Sequence, residues 1–191
     1  MFESRSKRPY RAFKSWFKKS QVVNTDGTPK ILYHGTIADH VIESFCGDSF
    51  AGWFAETPQK AEIYTKRLTC SIEEHIDQYG AIYPVYLRIQ QPLDLTTFDM
   101  DHRFSATKLA RIMNAIKPNF TTPRELQDLL EERGRSDRMW GCVANNGFAE
   151  WVSALGCDGV KAKEGGQITW APLDSDQVEF VLWSSNPRRV A

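Results

Sequence analysis

The chain has 191 residues, 41% hydrophobic and 25% charged, and its 24 basic and 24 acidic side chains leave a formal net charge of +0. That size suits one domain with a proper core, and the balance excludes a global field drawing the whole chain onto nucleic acid or a membrane. No apolar run is long enough to span a bilayer, and none of the ~7–15 residues a secretory signal needs follows the basic N-terminus, so residues 1–191 read as a single cytoplasmic domain.

Residues 1–20 form a basic N-terminal helix in which Arg5, Lys7, Arg8, Arg11, Lys14, Lys18 and Lys19 stand against Glu3 alone. Tyr10, Phe13, Trp16 and Phe17 share one helical face behind Pro9, a good first-turn residue. Such a helix either contacts nucleic acid or another anionic surface, or docks its aromatic face on the core with its lysines solvated; the second is the favoured reading.

Asp26-Gly27-Thr28-Pro29 then turns the chain into the β-prone run Ile31–Tyr33, which stops at His34-Gly35-Thr36. Residues 41–50 read as irregular. A strand from Trp53 to Ala55 leads to Thr57-Pro58, an N-cap with Pro at N1, and to a helix with Ala61, Tyr64 and Leu68 on one face. Residues 81–89 form a strong strand that Gln91-Pro92 ends.

The stretch 104–134 reads as a helical insertion. Leu109, Ile112, Met113 and Ile116 repeat at helical spacing. Thr122-Pro123-Arg124-Glu125 caps a second helix with Leu126, Leu129 and Leu130 on its apolar face. The pair either packs on the core or shapes access for a target. A further helix at 146–155 carries Phe148, Trp151, Val152 and Leu155 and ends at Gly156; Gly165-Gly166 then turns into strands near 167–173 and 177–183.

Cys46, Cys70, Cys142 and Cys157 are scattered without a CxxC pair, which suits free thiols in a reducing compartment. His40, His75 and His102 show no ligand spacing with them, so no metal site is expected. The chemistry concentrates around His34. A glycine beside it lets a planar ligand approach the backbone, whose N–H and C=O suit a carboxamide. Trp53 and Tyr64 could stack on the faces of a cationic ring. The alternatives are that Trp53 and Phe54 are buried strand residues and that Tyr64 belongs to a helix core.

In order and spacing these residues resemble the NAD-consuming ADP-ribosyltransferases of the diphtheria-toxin and poly(ADP-ribose) polymerase type. There a strand ending in His-Gly-Ser/Thr precedes Gly-x-Tyr-Phe-Ala, and a second Tyr follows the first by eleven residues. Here Trp53 takes the first Tyr's place, Tyr64 lies eleven residues on, and Phe54, Ala55 and Ala61 match. The chain looks most like the short bacterial and phage versions found in polyvalent proteins. Phe13, Trp16, Phe17, then Val22–Pro29, Tyr83–Ile89 with Pro92-Leu93, and Leu155–Val160 correspond to their segments.

The resemblance implies an α+β fold, a split barrel of two small antiparallel sheets ringed by helices, with NAD as substrate between them. It implies that His34 holds a ribose hydroxyl, that Gly35 takes the carboxamide, that Trp53 and Tyr64 sandwich the ring, and that Thr36 and Phe54 line the site. The family's catalytic Glu, eight residues before a Gln-Val pair, falls on Thr169. Gln167 lies two residues earlier on the same strand face, and Glu164 precedes the glycine turn. Thr169 or Gln167, with His34 and Tyr64, would then complete the catalytic set, while Glu164 would need its loop to fold back.

The implied activity is mono-ADP-ribosyl transfer from NAD to a protein or nucleic-acid acceptor, as a bacterial or phage toxin, effector or modifier with a possible antitoxin or immunity partner and no membrane. The alternatives are an NAD glycohydrolase, an RNA 2′-phosphotransferase using Arg88 and Arg67, and a degenerate NAD-binding module.

Overall fold

In the computed structural model the residues described are 5–6, 8–37, 42–45, 49–65, 80–131, 138–144, 146–182 and 188–190. His40, Cys46, Arg67, Leu68, Cys70 and His75 lie outside them, as does the side chain of Leu130.

The strands are β1 (Arg5–Ser6), β2 (Leu32–Thr36), β3 (Phe54–Ala55), β4 (Gly80–Leu87), β5 (Pro92–Asp94), β6 (Gly159–Glu164), β7 (Gln167–Pro172), β8 (Val178–Leu182) and β9 (Arg188–Val190). The helices are α1 (Tyr10–Phe17), α2 (Pro58–Glu62), α3 (Ala106–Ile116), α4 (Pro123–Glu131), α5 (Met139–Val143) and α6 (Asn146–Ala154).

The strands run in the order β1-β8-β4-β2-β3-β7-β6-β5, with β9 also on β4. Two halves meet at the short β3, which pairs with β2 only at Tyr33↔Ala55 and with β7 at Phe54↔Trp170 and Ala55↔Thr169. The α+β expectation holds, with two refinements. The halves are continuous through β3 rather than separate sheets, and β5 joins β6 in parallel, unlike every other strand pair among the described residues. Strand β6 itself does not stand out in the sequence, because its alternation with Lys161 and Lys163 rests on only two apolar residues, Val160 and the small Ala162.

Each half covers its own core. Leu32, Phe45, Phe54, Val85, Leu87 and Trp170 pack under β2, β4 and β7. Leu93, Met100, Leu109, Met113, Leu126, Met139, Phe148, Val152 and Val160 form the second core. Helices α3 and α4 therefore share their core with β5 and β6. Ile116, expected on the buried face of α3, is 45% exposed because it sits in that helix's last turn.

The N-terminal helix expected over residues 1–20 spans only Tyr10–Phe17, after the strand Arg5–Ser6, and Tyr64 falls in a 3-10 turn beyond α2. Several other local signals settle as the sequence indicates. Thr57 Oγ1 accepts from Lys60 N, and Thr122 and Glu125 exchange backbone bonds as a capping box. Gly156, at φ 80°, follows α6, and Cys157 N donates to Val152 O as in a Schellman turn. Helix α1 docks through Phe13, Trp16 and Phe17 onto Tyr86 and Val181, whereas Tyr10 turns outward at 78% exposure. None of the described helices is long and apolar enough to cross a membrane.

Asp158 fastens the two halves behind the sheet. Its carboxylate accepts from Gln90 N and Gln91 N, and its carbonyl accepts from Gln177 Nε2, which also donates to Arg88 O. Asp158→Ala orphans those amides, so unfolding in urea should show a loss of about 1–3 kcal/mol. Unchanged stability would mean that water replaces the carboxylate at no cost.

Candidate active site

Helix α2 stands directly on β2. A Cβ built on Gly35 would lie 1.7 Å from the Ala61 carbonyl oxygen, and one on Gly80 would lie 2.2 Å from Thr65 Cβ. The glycine after His34 thus makes room for a helix, which is a packing reason the sequence reading did not supply. That approach sets the 3-10 turn Ile63–Thr65, and Tyr64 with it, against the sheet.

His34 projects from β2 and is largely buried. Its Nδ1 lies 2.9 Å from Trp53 O, and its ring packs on Phe45 at 5.0 Å and Phe54 at 5.4 Å. Burial lowers its pKa below the ordinary value of 6.5, against the opposing pull of the Trp53 carbonyl. The ring is therefore neutral at pH 7; with Nδ1–H given to Trp53 O, Nε2 keeps its lone pair. Phe54 is 0% exposed, so its place is behind His34 and not on a ligand-facing wall. Trp53 is partly buried, with its ring held edge-on by Trp140 at 4.7 Å and Phe50 at 5.7 Å. Thr36 closes β2, partly buried, opposite Ala81.

Tyr64 is 45% exposed, yet its hydroxyl donates to Glu164 Oε1. Glu164 is only 6% exposed and also lies 3.3 Å from Lys60 Nζ, which in turn sits 5.9 Å from the Tyr64 ring centroid. Burial, the bond to Glu164 and the charges of Glu164 and Asp101 raise the phenol's pKa, so Tyr64 stays a donor.

Glu164 reaches this place without any folding back of the loop. Gly165 and Gly166, at φ 54° and 80°, form a tight turn that leaves Glu164 opposite Gln167. Asp99 clamps the turn by accepting from both glycine N–H groups, at 3.2 and 3.0 Å. Burial works against ionisation of Asp99, but the N–H groups of Asp101, Gly166 and Gly165 outweigh it and hold its pKa below the usual range.

Gln167, Thr169, Ala162 and Glu164 share one sheet face by alternation and register. Gln167 is exposed and accepts from Thr57 Oγ1 at 3.0 Å, so it supports the N-cap of α2. Thr169 is 3% exposed, and its hydroxyl is a buried polar atom without a partner. The structure thus groups Tyr64, Glu164 and Lys60 directly, with Thr169 on the same face as Glu164.

Lys60 and Asp99 were missed from the sequence. A signal for Lys60 exists, since it lies one helical turn before Tyr64; none exists for Asp99, whose turn is 66 residues away. Arg88 is committed elsewhere, to Asp176 at 2.9 Å and to the Trp16 ring, so it lends no support to a phosphate-binding role. No group of three or more His, Cys, Asp and Glu suited to a metal ion occurs among the described residues.

The family model for ADP-ribosyltransferases in polyvalent proteins matches residues 24–186, and the chain belongs to that family. Among solved structures it is similar to an anti-CRISPR protein, at 16% identity and a TM-score of 0.38, over 79% of this chain and 94% of that one. It is also similar to a chain of the M. tuberculosis MbcT-MbcA toxin-antitoxin complex, at 14% identity and a TM-score of 0.44, over 81% and 82% of the two chains. No curated protein sequence matches it.

Two predictions follow from this geometry. Gly35→Ala should destabilise the protein by at least about 1–3 kcal/mol in urea unfolding, the usual cost of overpacking, because a backbone carbonyl and not a flexible tip must move. A neutral stability change would show that α2 can lift off β2 cheaply. The second concerns pH. A folded-state pKa below 6.5 at His34 means that the unfolded chain takes up the proton first. Its contribution is intact above about pH 6.5 and is lost as pH falls toward the depressed value. Stability should therefore fall more steeply, as pH drops below about 6.5, in the native chain than in His34→Gln; equal slopes would refute it.

Proposed function

We propose that this ADP-ribosyltransferase domain uses NAD and transfers a single ADP-ribose to a macromolecular acceptor, protein or nucleic acid. The observation that carries the reading is the buried carboxylate of Glu164 under the Tyr64 hydroxyl, which supplies on β6 the charge that Thr169 on β7 lacks.

Bound NAD would supply a nicotinamide leaving group and an electrophilic sugar carbon. His34 Nε2 would accept from a ribose hydroxyl, its tautomer fixed by Trp53 O. The Gly35 backbone would take the carboxamide, Trp53 and Tyr64 would flank the ring, and Thr36 would add a hydroxyl contact. Positive charge on the reacting sugar would be opposed by Glu164, held in place by Lys60 and Tyr64. Thr169 Oγ1, buried and unpartnered, fits a sugar hydroxyl on the same face. Gln167 acts through Thr57 as a positioning residue. The replacement of the family's Glu by Thr169 favours one transfer over chain-building. Such a domain would act in a bacterial cytoplasm as a phage-type modifier, toxin or effector, where an antitoxin or immunity partner would restrain it.

A second reading, a module that binds NAD without turnover, is favoured by Thr169 alone. Nicotinamide release by the purified protein, with and without cell lysate, separates the two. Glu164→Gln and His34→Ala should each lower release by about 10²–10³-fold, the loss seen when one transition-state stabiliser is removed. Thermal unfolding controls for folding, since Glu164→Gln leaves Lys60 buried without its anion. A folded Glu164→Gln variant with full turnover would remove Glu164 from the site. Binding of NAD without release would establish the second reading, and release with no labelled acceptor would make the protein a glycohydrolase.

A further inference from the structure

Helix α1 has two faces with different work. Its aromatic face is fixed: Trp16 Nε1 donates to Asp176 O, and the guanidinium groups of Arg8 and Arg88 lie 5.4 and 5.9 Å from the Trp16 ring, on Glu179 and Asp176 respectively. Its C-terminal end is tied down as well, because Gln90 Nε2 donates to Lys18 O and Ser20 Oγ donates to Leu87 O. The helix is therefore a rigid shelf on β4 and β8.

Beside its aromatic face, α1 leaves Tyr10, at the edge of that face, exposed together with Arg11, Lys14 and the C-cap residue Lys18. Lys19 follows directly. No acidic residue lies within α1, and among the described residues no ion pair engages Arg11, Lys14, Lys18 or Lys19. Four uncompensated cations beside a 78%-exposed tyrosine form a local field on a chain whose net charge is +0.

We propose that this face of α1 is a docking surface for single-stranded nucleic acid, with Arg11, Lys14, Lys18 and Lys19 on the phosphates and Tyr10 stacked on a base. The composition selects this partner. A membrane-surface helix buries an apolar face, whereas the apolar face of α1 is spent on Tyr86 and Val181. An acidic protein surface would give Tyr10 no unstacked ring to cover, whereas stacking on aromatics is how single strands are held. The surface does not depend on the NAD chemistry proposed above.

The test is fluorescence anisotropy of the full chain with a labelled oligo(dT) of about one to two dozen nucleotides, titrated at several salt concentrations. Each phosphate contact contributes about −0.7 to the slope of log affinity against log salt, so four contacts give about −2.8. Lys14→Glu/Lys18→Glu should weaken binding at least tenfold and flatten the slope by about 1.4. Tyr10→Ala should weaken binding several-fold and leave the slope unchanged. Arg111→Glu/Arg124→Glu, an equal charge change on α3 and α4, should leave binding as it was. The proposal is overturned if the native chain does not bind, if both double variants weaken it equally, or if vesicles of phosphatidylserine and phosphatidylcholine compete as well as unlabelled oligo(dT).

Discussion

The contact on which the site depends is the seat of α2 on β2. The Ala61 carbonyl occupies the place a side chain at Gly35 would fill, and Thr65 crowds Gly80 in the same way. Only two bare backbone positions allow that distance of approach. From it follow the position of Lys60 and Tyr64 over the β6–β7 hairpin and the link from Thr57 to Gln167. His34 faces the other core, yet it is one residue from the same contact. A single packing decision therefore fixes several groups of the candidate site in relation to one another.

The second constraint is the short bridge at β3. With one residue pair to β2 and two to β7, it joins the halves while leaving β2 unpaired with β3 beyond Tyr33. A sheet that opened completely there would leave His34 without the Trp53 carbonyl; one that zipped completely would close the space beside Gly35. Phe54 serves the bridge by filling the core beneath it, and Trp53, braced by Trp140, ties the bridge to the helical half.

The carboxylate question is one of register. Gly165-Gly166 makes the tightest hairpin available, and Asp99 holds it from a segment that runs along β6, where Leu95 N and Met100 N donate to Lys161 O and Lys163 O. Glu164 is then held on the same face as Thr169. A buried carboxylate survives there because a cation and a phenol hydroxyl meet it; alone, it would be expelled or neutralised.

By itself the sequence determined the elements whose signals are local. The N-cap at Thr57, the capping box at Thr122, the glycine end of α6, the strand holding His34 and the amphipathic α3 all follow from neighbours within a turn or two, and each forms where expected. Motif order likewise carried the family, because His34, Trp53 and Tyr64 keep their spacing whatever lies between. Contacts across long separations were left to the tertiary structure. Spacing could not say that Gly35 serves a helix, that Phe54 is wholly buried, that Gln167 props Thr57, or that Glu164 answers Tyr64 across 100 residues. The reason is physical: a side chain's partners are set by strand register and helix seating, and both are collective results of packing rather than properties of any short segment.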